Sequence, residues 1–291
     1  MHAGVIGPAL LHAAAVDALD WSLEPGVVVP LALLALLYGR GVRLLGGIKR
    51  TPGAAYFIGG WLVLAAGLLS PLHAASEELF SAHMIQHELL MVVSAPLFAL
   101  SRPLPVMLDG VPKIWRPDIE AIIDRASVRR AWQRATRPLD AWLIHGTIIW
   151  VWHIPALFQA TLVYDAVHAA QHLSFFLSAY LFWTSLADEH APERGGVAIL
   201  SLFTTAVHTG VLGALISFAR HPWYPAYATR AAAWHMTALA DQQLAGLIMW
   251  IPASVVYLIA ALVMMRRWLR DSESSVSRRE WEAVGGGPAA R

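Results

Sequence analysis

The sequence predicts an all-α polytopic membrane protein, a seven-transmembrane-helix bundle with its amino terminus outside and its carboxyl terminus cytoplasmic. Three observations carry that expectation. Of the 291 residues 57% are hydrophobic and only 14% charged, with a mean hydropathy of +0.53, a balance typical of chains that use lipid as solvent. The apolar residues fall into runs long enough to cross a hydrocarbon core of about 30 Å. The basic residues are segregated: with the amino terminus outside, 19 of the 21 lysines and arginines lie in inner loops and the tail, leaving Arg220 and Arg230 outside.

Residues 1–26 form an amino-terminal extracytoplasmic segment whose apolar part is too short to cross a bilayer. It lacks a basic leader and is interrupted by Pro8, so the first span rather than a cleaved signal is expected to drive insertion. The membrane domain covers 27–270. Its first helix, Val27 to Leu45, ends in Arg40 and Arg43, which can reach the headgroups. The second runs from Ala55 to Leu72 and the third from Ala82 to Leu100. The connection 102–138 then places Ile119, Ile122, Ile123, Ala126 and Trp132 at near-helical spacing among Arg125, Arg129, Arg130 and Arg134. That pattern predicts an amphipathic cytoplasmic helix lying on anionic lipid. Leu139 to Phe158, Asp165 to Leu186, Gly196 to Ala219 and Leu244 to Met265 supply the fourth to seventh helices, and 271–291, rich in Ser, Glu, Arg and Gly, is expected to be disordered.

This topology turns a list of histidines into a place. His73 follows the outer end of the second helix, His83 and His87 open the third, His153 closes the fourth, and His168 and His172 open the fifth. At 1.5 Å of rise per residue all six fall in one outer layer. The pairs 83/87 and 168/172 are each four residues apart, so both rings of a pair share one helix face and two facing pairs could share one centre. Ionisable groups in a span are costly and face a bundle interior or a cavity. Imidazole suits copper, zinc, iron and nickel, and a thioether from Met84 would shift the preference toward Cu(I). Gln86, Glu88, Gln171 and Asp241 are placed to orient the rings. The plainer reading, histidines that only hydrogen-bond between helices, fits His145 and His208, which lie away from the layer. His2, His12, His190, His221 and His235 read as surface or interfacial residues.

The chain has no cysteine, which removes disulfides, thiolate sites and iron–sulfur clusters. No phosphate-cradling glycine loop, HExxH, nucleophile elbow or dinucleotide fingerprint occurs, so the chain is not expected to be an enzyme, and no nucleic-acid partner is expected.

HMIQHELLMVVSAPLFAL, WVWHIPALFQATLVYDAVHAAQHLSFFLSAYLFW and DQQLAGLIMWIP, in this order, resemble the multi-spanning CtaG-type cytochrome c oxidase assembly factors from about the second helix to the seventh. The resemblance implies a multi-pass protein of the bacterial plasma (inner) membrane that helps mature a haem–copper terminal oxidase. Its partners would be oxidase subunits, with periplasmic copper chaperones as a further candidate. Carried over, the family's histidines correspond to His83, His87, His153, His168 and His172, and its acidic-amide motif to Asp241, Gln242 and Gln243. Copper, as Cu(I) or Cu(II), is then the expected metal. Three alternatives stay open: a haem-binding membrane redox protein, a metal or proton transporter running through His145 and His208, and a scaffold without metal.

Overall fold

The computed structural model describes residues 20–187 and 195–283, and every regular element among them is helical. In chain order these are α1 (Pro25–Leu44), α2 (Ala54–Leu69), α3 (Pro71–Glu78), α4 (Phe80–Ser101) and α5 (Pro103–Gly110). There follow α6 (Arg116–Ile123), α7 (Ala126–Ala135), α8 (Pro138–Trp152), α9 (Pro155–Thr161) and α10 (Asp165–Leu186). The last three are α11 (Gly195–Ser217), α12 (Tyr227–Ala233) and α13 (Ala238–Ala283). Prolines open α1, α3, α5, α8 and α9, where the missing N–H would have had no intrahelical partner anyway. The expected surface segment falls largely on residues 1–19, and His2, His12 and His190 also lie outside the described residues.

By length and composition α1, α4, α11 and Ala238–Arg270 of α13 can each cross a membrane. The pairs α2–α3, bent by 47°, and α8–α9, bent by 80°, raise the number to six if each pair is one span. Seven spans were expected. The remaining segment, α10, is 22 residues long but less apolar, because it buries His168, Gln171, His172, Ser178 and Ser185 while exposing Leu173 and Leu177. Polar groups inside and leucines outside are the arrangement a bilayer favours for a helix that lines an interior.

Three further differences are local. The connection 102–138 forms α5, α6 and α7, and the amphipathic stretch expected there is split between α6 and α7 because the backbone turns at Arg125, which adopts an extended ψ of 130°. The tail expected to be disordered continues as helix to Ala283, and residues 284–291 lie outside the described residues. Inside α4 the turns of Leu89–Ser94 widen to π geometry, and two neighbouring helices bond to this stretch. The Trp183 indole N–H donates to the Met91 carbonyl at 3.0 Å, and Ser94 Oγ donates to the Gly60 carbonyl at 2.9 Å.

The core has two parts that meet at α4. One holds Phe80, Met84, Met91, Ile149, Phe158, Phe175, Phe182 and Tyr257; the other joins α1, α2, α4 and α5 through Tyr38, Phe57, Leu90, Phe98 and Val106. Without a hydrophobic drive between spans, close backbone approach has to hold α11 to α13. A Cβ at Gly213 would stand 2.8 Å from the Gly246 carbonyl oxygen, so only glycine fits there. Gly246→Val should therefore lower the thermal unfolding midpoint of the detergent-purified protein, an overpacking cost of about 1–3 kcal/mol. Gly196→Ala, where an added Cβ meets nothing within 4 Å, should leave the midpoint no lower than the wild type.

Candidate metal centre

The site is built on α4, α10 and α3, and its position is fixed from far along the chain. Asp241, at the start of α13, is fully buried and accepts from the backbone N–H groups of Phe80 at 2.7 Å and Ser81 at 3.0 Å. It is thus the N-terminal cap of α4, supplied by another helix, and its negative charge lies against the positive end of the α4 dipole. The two residues after it continue the clamp. Gln242 Oε1 accepts from the Trp223 N–H at 2.6 Å, and the Gln243 carbonyl accepts from Ser217 Oγ at 3.2 Å. The acidic-amide motif therefore ties α13 to α4, α11 and the loop before α12, and Asp241 does not orient a histidine ring as the sequence led us to expect.

On the helix so held, His83 is completely buried and faces His168 and His172 of α10. One ring nitrogen from each of the three lies within 4.8 Å of the others, and all three residues are buried. A metal–imidazole bond is about 2.0–2.1 Å, using the zinc value, so small rotamer changes would bring three such nitrogens onto one ion. The Nε2 atoms of His168 and His172 are buried with no hydrogen-bond partner, and so is Gln171 Nε2. Gln171 Oε1 lies 3.2 Å from His83 Nε2, and the Tyr227 hydroxyl lies 3.5 Å from His83 Nδ1. Tyr227 donates to the Ser76 carbonyl at 3.0 Å. Burial, with the Asp241 carboxylate as the second cause, holds the Tyr227 hydroxyl well above the ordinary phenol range, so it remains a neutral hydrogen-bonding group.

The other predicted residues fall around this trio. The ring of His87 lies 4.2 Å from that of His83 and 5.4 Å from that of His172, one helical turn further along α4, and neither of its buried nitrogens has a partner. His73 on α3 stacks on His168 at 5.6 Å. Its Nδ1 accepts from Gln86 Nε2 at 3.0 Å, which places its own proton on Nε2 and leaves no free lone pair. His153 has the opposite tautomer: Nδ1–H donates to the Ile149 carbonyl at 2.7 Å, and Nε2 keeps its lone pair without a partner. Its nearest aromatic neighbours, Phe158 and Phe175, are also those packed on His83 and His87. Met84 is 2% exposed and belongs to the apolar core. Gln86 bonds the ring of His73, and Gln171 that of His83. Glu88 bonds no histidine, and its Oε2 is buried without a partner, since it projects about 100° around α4 from His87.

Two contributors escaped the sequence reading. Tyr227 touches His83, and Tyr224 donates to the His153 carbonyl at 2.9 Å, fixing the break between α8 and α9. Their only trace in the sequence is the density of aromatics in the loop before α12.

The family model for the cytochrome c oxidase caa3 assembly factor (Caa3_CtaG) matches residues 6–271. Two uncharacterized proteins, one of Mycobacterium bovis and one of Mycobacterium tuberculosis, are each 23% identical over 283 residues, with 90% of this chain and 41% of the relative aligned. The chain thus spans about two fifths of the length of the curated relatives it matches. No solved structure matches it.

Asp241→Ala should cost about 1–2 kcal/mol of stability through the lost cap. Asp241→Asn, which keeps one acceptor oxygen, should recover part of it. Thermal unfolding of the two variants in detergent checks both values.

Proposed function

Because the chain belongs to the Caa3_CtaG family of cytochrome c oxidase assembly factors, we propose that it is a non-enzymatic factor that takes up copper at His83, His168 and His172 and passes it on during maturation of a haem–copper terminal oxidase. One observation carries the reading: three buried imidazoles on two helices bring a nitrogen each within 4.8 Å of the others, and two of them have no other partner for Nε2. Leaving such groups unsatisfied costs about 1–3 kcal/mol each, and a ligand would remove that cost.

Copper is the cargo, held by neutral nitrogens with His87 one turn further along α4. Gln171 holds His83 in register before loading, and ring rotation toward the ion breaks that contact. Tyr227 then serves as the partner of His83 Nδ1, the kind of outer hydrogen bond that fixes a ligating ring. A site of imidazoles without thiolate suits exchange better than permanent storage. The haem alternative needs room for a macrocycle between two axial rings, whereas His83 and His168 stack at 5.4 Å and Phe158 lies 4.9 Å from His83.

The same reading places the protein in a bacterial plasma membrane with α10 as the seventh span, the histidines toward the outer face and the arginine-rich connection in the cytoplasm. The distribution of basic residues supports that orientation. Oxidase subunits, and copper chaperones on the outer side, would be its partners.

Purified wild-type protein should bind copper on elemental analysis after loading and desalting. His83→Ala, His168→Ala and His172→Ala should each lose most of it, and cells carrying them should show reduced oxidase activity in membranes. Wild-type copper content in all three variants would remove the site. Tyr227→Phe should weaken copper binding by about ten- to a hundredfold in a competition titration.

A further inference from the structure

At the opposite end of the bundle from the histidines, α1 and α2 enclose a groove of about 780 Å³, within the roughly 300–1,000 Å³ usual for ligand sites. Its ends can be assigned from the chain. The Ser22 N–H donates to the Leu69 carbonyl, so the start of α1 lies beside the end of α2, next to His73 on α3. The other end of α1, with Arg43 and the turn through Lys49, therefore lies beside the start of α2.

The walls are apolar, formed by Leu36, Ile58 and Leu62, and Tyr38 stacks on Phe57 at 3.6 Å to make a flat aromatic floor. The Trp61 indole N–H donates to the Leu31 carbonyl at 2.9 Å, which fixes that ring in the lining. The rim is cationic. Arg43 and Lys49 line it, both are exposed, and neither forms an ion pair among the described residues. From Ala35 to Arg43 the groove follows α1 for about 12 Å. A hydrocarbon wall leading to an exposed cationic rim at a helix end matches one ligand chemistry, a lipid with a negative headgroup.

We propose that this groove binds one anionic phospholipid, with an acyl chain between α1 and α2 and the phosphate at Arg43 and Lys49. The lipid fills the space between two spans and neutralises two cations that form no ion pair among the described residues. It anchors α1 from the side opposite α5, whose Gly110 backs directly onto the Leu37 carbonyl. The copper site plays no part in this inference.

Native mass spectrometry of the 291-residue chain in detergent tests it, with phosphatidylglycerol and phosphatidylcholine of identical chains added in turn. One phosphatidylglycerol adduct should form, at about tenfold lower lipid concentration than the phosphatidylcholine adduct. Arg43→Gln combined with Lys49→Gln, both on the surface, should remove that preference while leaving weak binding of either lipid. Gly39 lines the groove, and a Cβ there meets nothing within 4 Å. Gly39→Leu should therefore occupy the space, abolish both adducts and melt no lower than the wild type, since glycine is the poorer helix former. Equal binding of the two lipids, adducts unchanged in Gly39→Leu, or displacement of the lipid by millimolar inorganic phosphate alone would overturn the assignment.

Discussion

The carboxylate of Asp241 holding the first two N–H groups of α4 is the contact on which the rest of the architecture depends. In lipid a helix end has no water to satisfy its unpaired donors, so an acceptor must come from elsewhere in the protein. Here it comes from the last long helix, 161 positions away from Phe80. This one bond pair sets the height and tilt of the helix that carries His83 and His87. Gln242 and Gln243 extend the restraint to α11 and the loop before α12, so three amino acids in a row fix three different pieces of the bundle.

Restraint of this kind is what lets unsatisfied nitrogens persist. His87, His153, His168 and His172 all present a buried ring nitrogen without a partner. A loosely packed bundle would relieve that cost by turning each ring toward a backbone carbonyl, as His153 does with its Nδ1. Here Phe158 packs on His83, Phe175 packs on His87 and His73 stacks on His168, so these rings face aromatic neighbours. The unpartnered nitrogens thus sit within an aromatic lining.

Much of this could be read from the sequence, because long apolar runs and four-residue histidine spacing are local signals. His83, His168 and His172 were legible for that reason. What the sequence hid depends on contacts between distant segments. The third helix begins at Phe80 rather than Ala82 because its cap is Asp241, and no local pattern reveals that. Gln86 and Glu88 looked equivalent as supports for the rings, yet the rotation of α4 sends one to His73 and leaves the other without a histidine. Tyr227 was missed because a phenol in a loop becomes a neighbour of His83 only once α12 folds over α3, held there by Arg230 on the Glu77 carbonyl at 2.6 Å.

The π stretch Leu89–Ser94 has a consequence for how α4 serves two masters. A wide turn holds more residues than an ordinary one, so the two halves of the helix are out of phase with each other. The first half can aim His83 at α10 while the second aims Phe98 at Phe57 of α2. Deleting one residue from this stretch would hardly shorten α4, but it would swing one half against the other by about 100°. Along this helix, chain length works as an angular setting, and a one-residue indel would do more harm than many substitutions.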